Sequence, residues 1–178
     1  METINAILFW VLLFVLGWQA YILIFNRGIP NIRTAPALRR AMIDKLKEAG
    51  AKRIYDLGSG GGDLSRTIAA ALPDAKVTGL EISAGAVRRA QGRGKHLPNL
   101  EYIQGDFMKA DLSQADALVM FLIDTMMPPL REKLRKELKP GTIVISNKFP
   151  LGGDWVPAEE LSIKTLYLNQ KMIYLYRA

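Results

Sequence analysis

Hydrophobic and polar residues follow two different patterns along the chain of 178 residues, and the change falls between residues 25 and 53. Residues 4–25, INAILFWVLLFVLGWQAYILIF, form an apolar run without a charged residue. From residue 53 onward, short apolar runs alternate with stretches of helical periodicity. The pattern therefore predicts one apolar helix, followed by a domain in which strands and helices alternate.

The apolar run has the length and composition of a transmembrane helix. At a rise of about 1.5 Å per residue, a helix of this length spans roughly 30 Å, which matches the hydrocarbon core of a bilayer. Trp18 and Tyr21 lie near its end, where interfacial aromatic residues are expected. A cleaved signal peptide would have a basic start and a small-residue cleavage site, and a buried core helix would have a polar stripe. We therefore expect residues 1–25 to be a membrane anchor.

The domain after residue 52 is predicted to be an α/β fold. Strands are predicted at residues 52–57, 75–82, 99–106, 116–123 and 142–149, and helices at 63–73, 83–94 and from Pro129 to Pro140. Strands separated by such helices imply right-handed crossovers, and hence a Rossmann-like, doubly wound, mostly parallel sheet. Residues 161–178 contain two β-rich runs joined at Asn169-Gln170, which predicts a C-terminal antiparallel hairpin on the sheet edge.

Positive charge is concentrated directly after the apolar run. Residues 26–53 contain eight basic and two acidic residues, whereas the whole chain has a net charge of +7. A basic cluster beside a membrane span follows the positive-inside rule and is attracted to anionic headgroups. We therefore expect residues 26–52 to be a basic juxtamembrane segment and residues 53–178 to be the domain. The smaller basic run at residues 88–95 is expected to be a solvated helix face, with a second membrane contact or an acidic partner as the alternative.

The side-chain inventory argues against a metal site. The chain has no cysteine, and its single histidine, His96, lies in a predicted loop. The basic residues also lack the arrangement of a basic face on the domain that nucleic-acid binding requires. We therefore expect neither a metal nor a nucleic acid among the partners.

A glycine-rich loop follows the first predicted strand of the domain. Residues 54–62 read IYDLGSGGG. The third glycine of a dinucleotide-binding fingerprint is missing from this stretch, and so is the lysine of a phosphate-binding P-loop. What remains is an acid followed by alternate glycines, Asp56 to Gly62. An acid before the glycines favours a ligand that carries an amine or a positive charge.

These residues resemble the class I S-adenosylmethionine-dependent methyltransferases. The resemblance implies that Asp56 holds the amino end of the cofactor, that Glu81 binds the two ribose hydroxyls, and that Asp106, with Phe107 beside it, contacts the adenine. The full set of cofactor-binding residues implied in this way is Thr34, Asp56, Gly58, Ser59, Gly60, Gly62, Glu81, Ile82, Asp106 and Phe107. Helix capping by Asp56 or Glu81 and a simple turn at Asp106 are the alternatives for the acids.

A narrower resemblance covers most of the chain. The apolar helix, PNIRTAP, YDLGSGGG, DTMMPPLREKLRKELKPGTIVISNKFPLGGDWVP and the terminal hairpin are similar to the protein-lysine methyltransferases that act on the mitochondrial adenine nucleotide translocase and the ATP synthase c subunit, and to their prokaryotic relatives. GSGGG departs from relatives that have an acid among these glycines. The resemblance implies methyl transfer to a lysine ε-amine, with S-adenosyl-L-methionine as cofactor.

Candidate catalytic residues follow the fourth and fifth strands of the predicted sheet. Asp124 is positioned to orient an amine and accept its proton through water, although it could instead cap a turn. Asn147 is the second catalytic candidate. Phe149 and Trp155 are expected to line the substrate channel, and plain packing is the alternative for Trp155.

The predicted function is a membrane-anchored lysine methyltransferase. Its expected partners are the bilayer, bound through residues 4–25, and a protein substrate that is itself a membrane protein or lies at the membrane. The expected location is the cell (inner) membrane, crossed once, with the catalytic domain on the cytoplasmic side. A methyltransferase for a lipid, a quinone precursor or another small membrane molecule is the alternative, followed by a binding module without catalysis.

Overall fold

A computed structural model describes residues 2–25, 33–165 and 171–178. The chain divides into two compact units between residues 32 and 33. The folded unit therefore extends 20 residues further toward the N-terminus than the expected boundary at residue 53. Residues 26–32 of the predicted juxtamembrane segment lie outside the described residues.

The first unit contains a single apolar helix, α1, Glu2–Phe25. The stretch Thr3–Tyr21 has a mean hydropathy of 1.8, and none of it is buried by the rest of the chain. Trp18 lies between Phe14 and Tyr21, with ring centroids 6.5 and 6.0 Å away. The helix α1 is long and apolar enough to cross a membrane, and a signal sequence near an N-terminus has the same length and composition. Its exposure argues against a core helix.

The second unit is built on a seven-stranded sheet with the order β3-β2-β1-β4-β5-β7-β6. The strands are β1 Arg53–Leu57, β2 Lys76–Glu81, β3 Leu100–Gln104, β4 Ala117–Met120, β5 Ile143–Asn147, β6 Glu159–Ser162 and β7 Met172–Arg177. The strands β1 to β5 run parallel, and β7 pairs antiparallel with β5 and with β6. The predicted Rossmann-like sheet with an antiparallel C-terminal pair is confirmed.

The helices between the strands are those that the sequence predicts, with slightly different limits, and one further helix precedes β1. They are α2 Pro36–Glu48, α3 Asp63–Ala71, α4 Ala84–Gly94 and α5 Met127–Glu137. The prediction placed no helix at α2, within the basic segment. The helix α5 begins two residues before Pro129, because a proline in the first helical turn loses no hydrogen bond.

Two apolar layers cover the sheet. On one face, α2 and α3 bury Leu38, Met42 and Ile68 against the strands. On the other face, α5 buries Leu130 and Leu134 among residues such as Leu118, Val144 and Tyr176. Burial of the apolar side of α2 explains why the folded unit starts at Arg33.

The first strand of the C-terminal hairpin begins earlier in the chain than predicted. This strand, β6, is Glu159–Ser162, and the Ile163 N–H beyond it still donates to the Lys171 carbonyl oxygen at 2.7 Å. The predicted turn at Asn169-Gln170 lies outside the described residues. The strand β6 forms the sheet edge, and β7 lies inside the sheet between β5 and β6.

Candidate active site

The candidate site lies at the carboxyl ends of the parallel strands. From β1 the chain winds outward through β2 and β3, and it then returns to β4 on the other side of β1. Ligands of open α/β sheets bind in the crevice formed where the winding reverses. The glycine loop directly follows β1 and therefore lies at this crevice.

The backbone of the glycine loop requires residues without side chains. Gly58, Gly60 and Gly62 have φ angles of 72°, 54° and 79°. A Cβ atom at Gly62 would lie 2.2 Å from the Tyr102 hydroxyl oxygen, and one at Gly58 would lie 2.7 Å from Leu122 Cδ2. The positive φ angles favour glycine at all three positions, and the packing of Tyr102 and Ala90 against Gly62 excludes a side chain there.

Tyr102 packs against the glycine loop. The sequence analysis did not predict it as a site residue. Its hydroxyl donates a hydrogen bond to the Gly62 carbonyl oxygen at 3.1 Å. Burial raises the pKa of Tyr102 to about 12, so the hydroxyl stays protonated and remains a donor. No local sequence signal points to this role, because Tyr102 belongs to a strand 40 residues away.

Asp56 is buried at the end of β1 and is held by the helix that follows the loop. Ser65 donates two hydrogen bonds to Asp56 Oδ2, from its hydroxyl at 2.5 Å and from its backbone N–H at 3.1 Å. Burial raises the pKa of Asp56 to about 6, although the Ser65 hydrogen bonds lower it, and nearby Glu81 raises it further. Asp56 thus accepts a hydrogen bond from an N–H in the first turn of α3 that has no partner within the helix. This contact alone does not explain why the residue at this position carries a carboxyl group.

Glu81 connects the end of β2 to the glycine loop. Its Oε2 accepts a hydrogen bond from the Gly60 N–H at 2.9 Å, and its Oε1 accepts one from the Ser83 N–H at 2.8 Å. A carboxylate oxygen can accept a second hydrogen bond. The two backbone donors therefore fix the orientation of Glu81 and leave acceptor capacity for two hydroxyl groups of a ligand.

Asp106, the third acid, follows the strand β3, which lies next to the strand that carries Glu81. The Gly105 N–H donates to the Glu81 carbonyl oxygen at 2.9 Å, which keeps the end of β3 next to β2. Asp106 Oδ1 accepts from the Met108 N–H at 2.9 Å, as in a simple Asx turn. The Phe107 side chain packs in the apolar core beneath this strand end. Ile82 follows Glu81 directly and is half-buried.

Arg33 and Thr34, which precede α2, lie near the start of α3 and the glycine loop. Arg33 Nε lies 3.0 Å from Asp63 Oδ2, and Asp63 begins α3 directly after Gly62. The adjacent Thr34 is buried. This ion pair brings the segment that contains Thr34 close to the start of α3, although 27 residues lie between Thr34 and Gly62 in the sequence.

Asp124 lies beyond β4 at the start of a short 3-10 helix, Asp124–Met126. The strand ends at Met120, earlier than predicted, so three residues separate the two. The Asp124 side chain is exposed, and its Oδ1 accepts a hydrogen bond from the Thr125 N–H at 2.8 Å. Asp124 thus begins the helical turn and also presents its carboxylate to solvent.

The end of β5 forms a strained turn. The Phe149 N–H donates to the carbonyl oxygen of buried Asn147 at 3.0 Å, and the Ser146 hydroxyl donates to the Phe149 carbonyl oxygen at 2.6 Å. The intervening Lys148 has a φ of 74°, which is unfavourable for a residue with a side chain. Such strain is common at functional sites. A lysine gives no sequence signal for this conformation.

Trp155 lies away from the other candidate residues. Its indole N–H donates to the Arg177 carbonyl oxygen at 3.3 Å, and Arg177 pairs with Ile143 at the start of β5. Asn147 is at the opposite end of that strand. Trp155 also packs edge-on against Tyr176, with ring centroids 5.6 Å apart. The structure therefore favours packing, and not the substrate channel, as the role of Trp155.

The three acids, Asp56, Glu81 and Asp106, fit the groups of S-adenosylmethionine. The buried carboxyl group of Asp56 suits an amine, the oriented Glu81 suits a ribose diol, and Asp106 lies at the next strand end. The order of the three acids across β1, β2 and β3 matches the order of these groups along S-adenosylmethionine.

Comparisons with known proteins identify the family of the chain. A family model described as the ANTKMT methyltransferase domain matches residues 56–159. A protein-lysine N-methyltransferase of Saccharolobus islandicus (strain REY15A) is 32% identical over 157 residues, which cover 83% of this chain and 92% of that protein. A lysine N-methyltransferase of the ATP synthase c subunit, from Xenopus laevis, is 34% identical over 108 residues, which cover 58% of this chain and 46% of that protein.

A solved structure extends the likeness to the fold. An RNA methyltransferase from Salinibacter ruber, in complex with S-adenosyl-L-homocysteine, matches with a TM-score of 0.65 and 27% identity, covering 84% of this chain and 93% of that chain. The family model covers more than half of the present chain, including Asp56, Glu81 and Asp106. The chain therefore belongs to the ANTKMT methyltransferase domain family and is an S-adenosylmethionine-dependent methyltransferase.

Proposed function

We propose that the protein transfers a methyl group from S-adenosylmethionine to a lysine ε-amine of a membrane protein or of a protein at the membrane surface. The assignment of S-adenosylmethionine as the methyl donor is supported by the three acids around the glycine loop, Asp56, Glu81 and Asp106. The lysine acceptor is supported by the Saccharolobus relative, which is named as a protein-lysine N-methyltransferase and is matched over 92% of its length.

The chain's own residues divide the work of holding the cofactor. Asp56 binds the amino group, Glu81 accepts hydrogen bonds from the ribose hydroxyls, and Asp106 binds at the adenine end. Gly58 to Gly62, with buried Ser59, form the floor on which the ligand rests. Thr34 closes the side of the site next to α3.

The acceptor lysine must lose its proton before it can react. When bound, S-adenosylmethionine supplies an electrophilic methyl group on a positively charged sulfur. A free lysine has a pKa of about 10.4, so presenting the neutral amine at pH 7 costs about 4 to 5 kcal/mol. Burial of the amine and a neighbouring positive charge both lower that cost.

The residues after β4 and β5 are assigned to the amine. Asn147, buried at the end of β5, orients it. Asp124, exposed to solvent, accepts its proton through water. The half-buried ring of Phe149 lines the approach, and the turn at Lys148 fixes the direction of this ring.

Membrane attachment is assigned to α1. The described side chains of this helix are all exposed, and its apolar surface would be unfavourable in water. Insertion in a bilayer removes that cost, and the basic residues that follow favour a cytoplasmic location for the domain. A membrane substrate follows from this attachment, since the domain then remains near the bilayer.

The proposal is tested with membranes from a strain that lacks the gene. Purified full-length enzyme and radiolabelled S-adenosylmethionine are added, and the labelled species is separated and identified by mass spectrometry. We expect the label on a lysine of one membrane protein, and no label with the Glu81→Ala variant. Label that extracts with the lipids would instead establish a small membrane molecule as the substrate.

A further inference from the structure

The outer face of α4 has an unusual concentration of positive charge. We propose that this face, formed by Arg88, Arg89, Arg93 and Lys95 and here called the α4 basic face, docks on an anionic lipid surface. All four side chains are exposed. No acidic residue occurs between Glu81 and Glu101, so the helix and its C-terminal turn have no negative side chain of their own.

The four cations form one group in which no member has an ion-pair partner among the described residues. Several cations on other elements are neutralised by carboxylates, such as Lys76 by Glu101 at 2.9 Å and Lys139 by Asp116 at 2.7 Å. In the described residues, no ion pair involves any member of the α4 basic face. These charges are therefore available to a partner.

The fold of α4 does not need Arg88 and Arg89. The helix is held by Val87 and Ala90, which bury against Tyr102, and by the Ser83 side chain at its N-terminus. Arg93 lies in the last turn, where a cation is favourable for the helix, and its guanidinium group lies near Gly61. Arg88 and Arg89 lie outside that turn, so helix stability does not explain their charges.

The surface around the charges distinguishes between kinds of partner. The other exposed residues of α4 are Gly85, Gln91 and Gly92. They provide neither the aromatic rings on which single-stranded RNA stacks nor the apolar anchors typical of a protein interface. An anionic bilayer surface requires only accessible positive charge. The α4 basic face therefore fits lipid headgroups best.

The inference rests on the proposed membrane attachment in one respect, because α1 is what brings a bilayer near the domain. Docking of the α4 basic face would then restrict how the domain turns above the membrane. Since α4 begins at Ala84, three residues after Glu81, such docking would also restrict the movement of the strand end that carries Glu81.

The test uses the full-length chain, which contains no cysteine. The Gly92→Cys variant accepts an environment-sensitive fluorophore on α4, at an exposed position where an added Cβ meets no atom within 4 Å. The protein is reconstituted in vesicles of phosphatidylcholine with or without phosphatidylglycerol. We expect a blue shift and protection from iodide quenching in the anionic vesicles alone, and a loss of both as salt shortens the Debye length below about 10 Å.

A matched pair of variants shows whether the charges on α4 are responsible. Arg88→Gln with Arg89→Gln should lower the docking constant roughly 25-fold, from about 1 kcal/mol for each charge near the surface. Lys109→Gln with Lys136→Gln removes two exposed charges from other elements and should leave docking unchanged.

Three results would overturn the proposal. These are equal emission in both kinds of vesicle, equal loss of docking in the two paired variants, and a blue shift caused by single-stranded RNA without vesicles. Resistance to extraction by alkaline carbonate reports the insertion of α1 separately. Failure of the anchor and failure of α4 docking are therefore distinguishable.

Discussion

The buried carboxyl group of Asp56 should make the stability of the ligand-free protein depend on pH. Burial raises its pKa from 3.8 to about 6 in the folded state. At about 1.4 kcal/mol per pH unit, this shift corresponds to about 3 kcal/mol. Because the folded pKa is the higher one, the contribution is fully present below about pH 4 and is lost as the pH rises through about 6.

The Asp56→Asn variant isolates this contribution. Asn is neutral at every pH, and its carbonyl oxygen can accept the two Ser65 hydrogen bonds, so it mimics the protonated acid. The variant should match the wild type at pH 4 and should exceed it by up to about 3 kcal/mol at pH 7.5. For a domain of this size that difference raises Tm by roughly 6 to 12 °C.

The assay is thermal unfolding of both proteins in detergent at a series of pH values, with the difference in Tm plotted against pH. Titrating groups that do not interact with Asp56 contribute equally to both proteins and cancel in the difference. Addition of S-adenosylhomocysteine, which has a positively charged amino group, should stabilise the wild type more than the variant above pH 6. A Tm difference that stays constant from pH 4 to pH 7.5 would refute the reasoning.

Three further predictions concern single residues. Glu81→Ala should weaken S-adenosylhomocysteine binding at least 100-fold in calorimetry, because two charge-assisted hydrogen bonds are lost; unchanged affinity would exclude the ribose assignment. Asp124→Asn should retain affinity and lower the single-turnover rate about 10²-fold, whereas a purely structural Asp124 would leave that rate unchanged. Lys148→Gly should raise the free energy of unfolding by roughly 1 kcal/mol by relieving the positive φ, and Lys148→Ala should not; equal melting of the two variants would contradict this.

The main elements could be predicted because their signals are local. The apolar run of α1, the alternation of strands and helices, and the glycine loop after β1 each depend on residues that are close in sequence. The ends of β1 and β2 also place Asp56 and Glu81, since parallel strands bring their carboxyl ends to one edge. Periodicity and turn chemistry are sufficient for these features.

Contacts between distant segments could not be read from such patterns. The basic segment contains α2, which joins the domain because Leu38 and Met42 meet strands far along the chain. Trp155 looked like a channel residue from its position after β5, and the tertiary structure carries it to the opposite end of that strand.

Strain at Lys148 also depends on tertiary structure. Its backbone is held in the left-handed region while the Lys148 N–H bonds to the Met172 carbonyl oxygen on β7. The sequence alone thus determined the five parallel strands, the helices between them, and the positions of Asp56 and Glu81 at the strand ends. The three-dimensional packing decided which side chains meet, because contact energies between distant segments outweigh local preference at these positions.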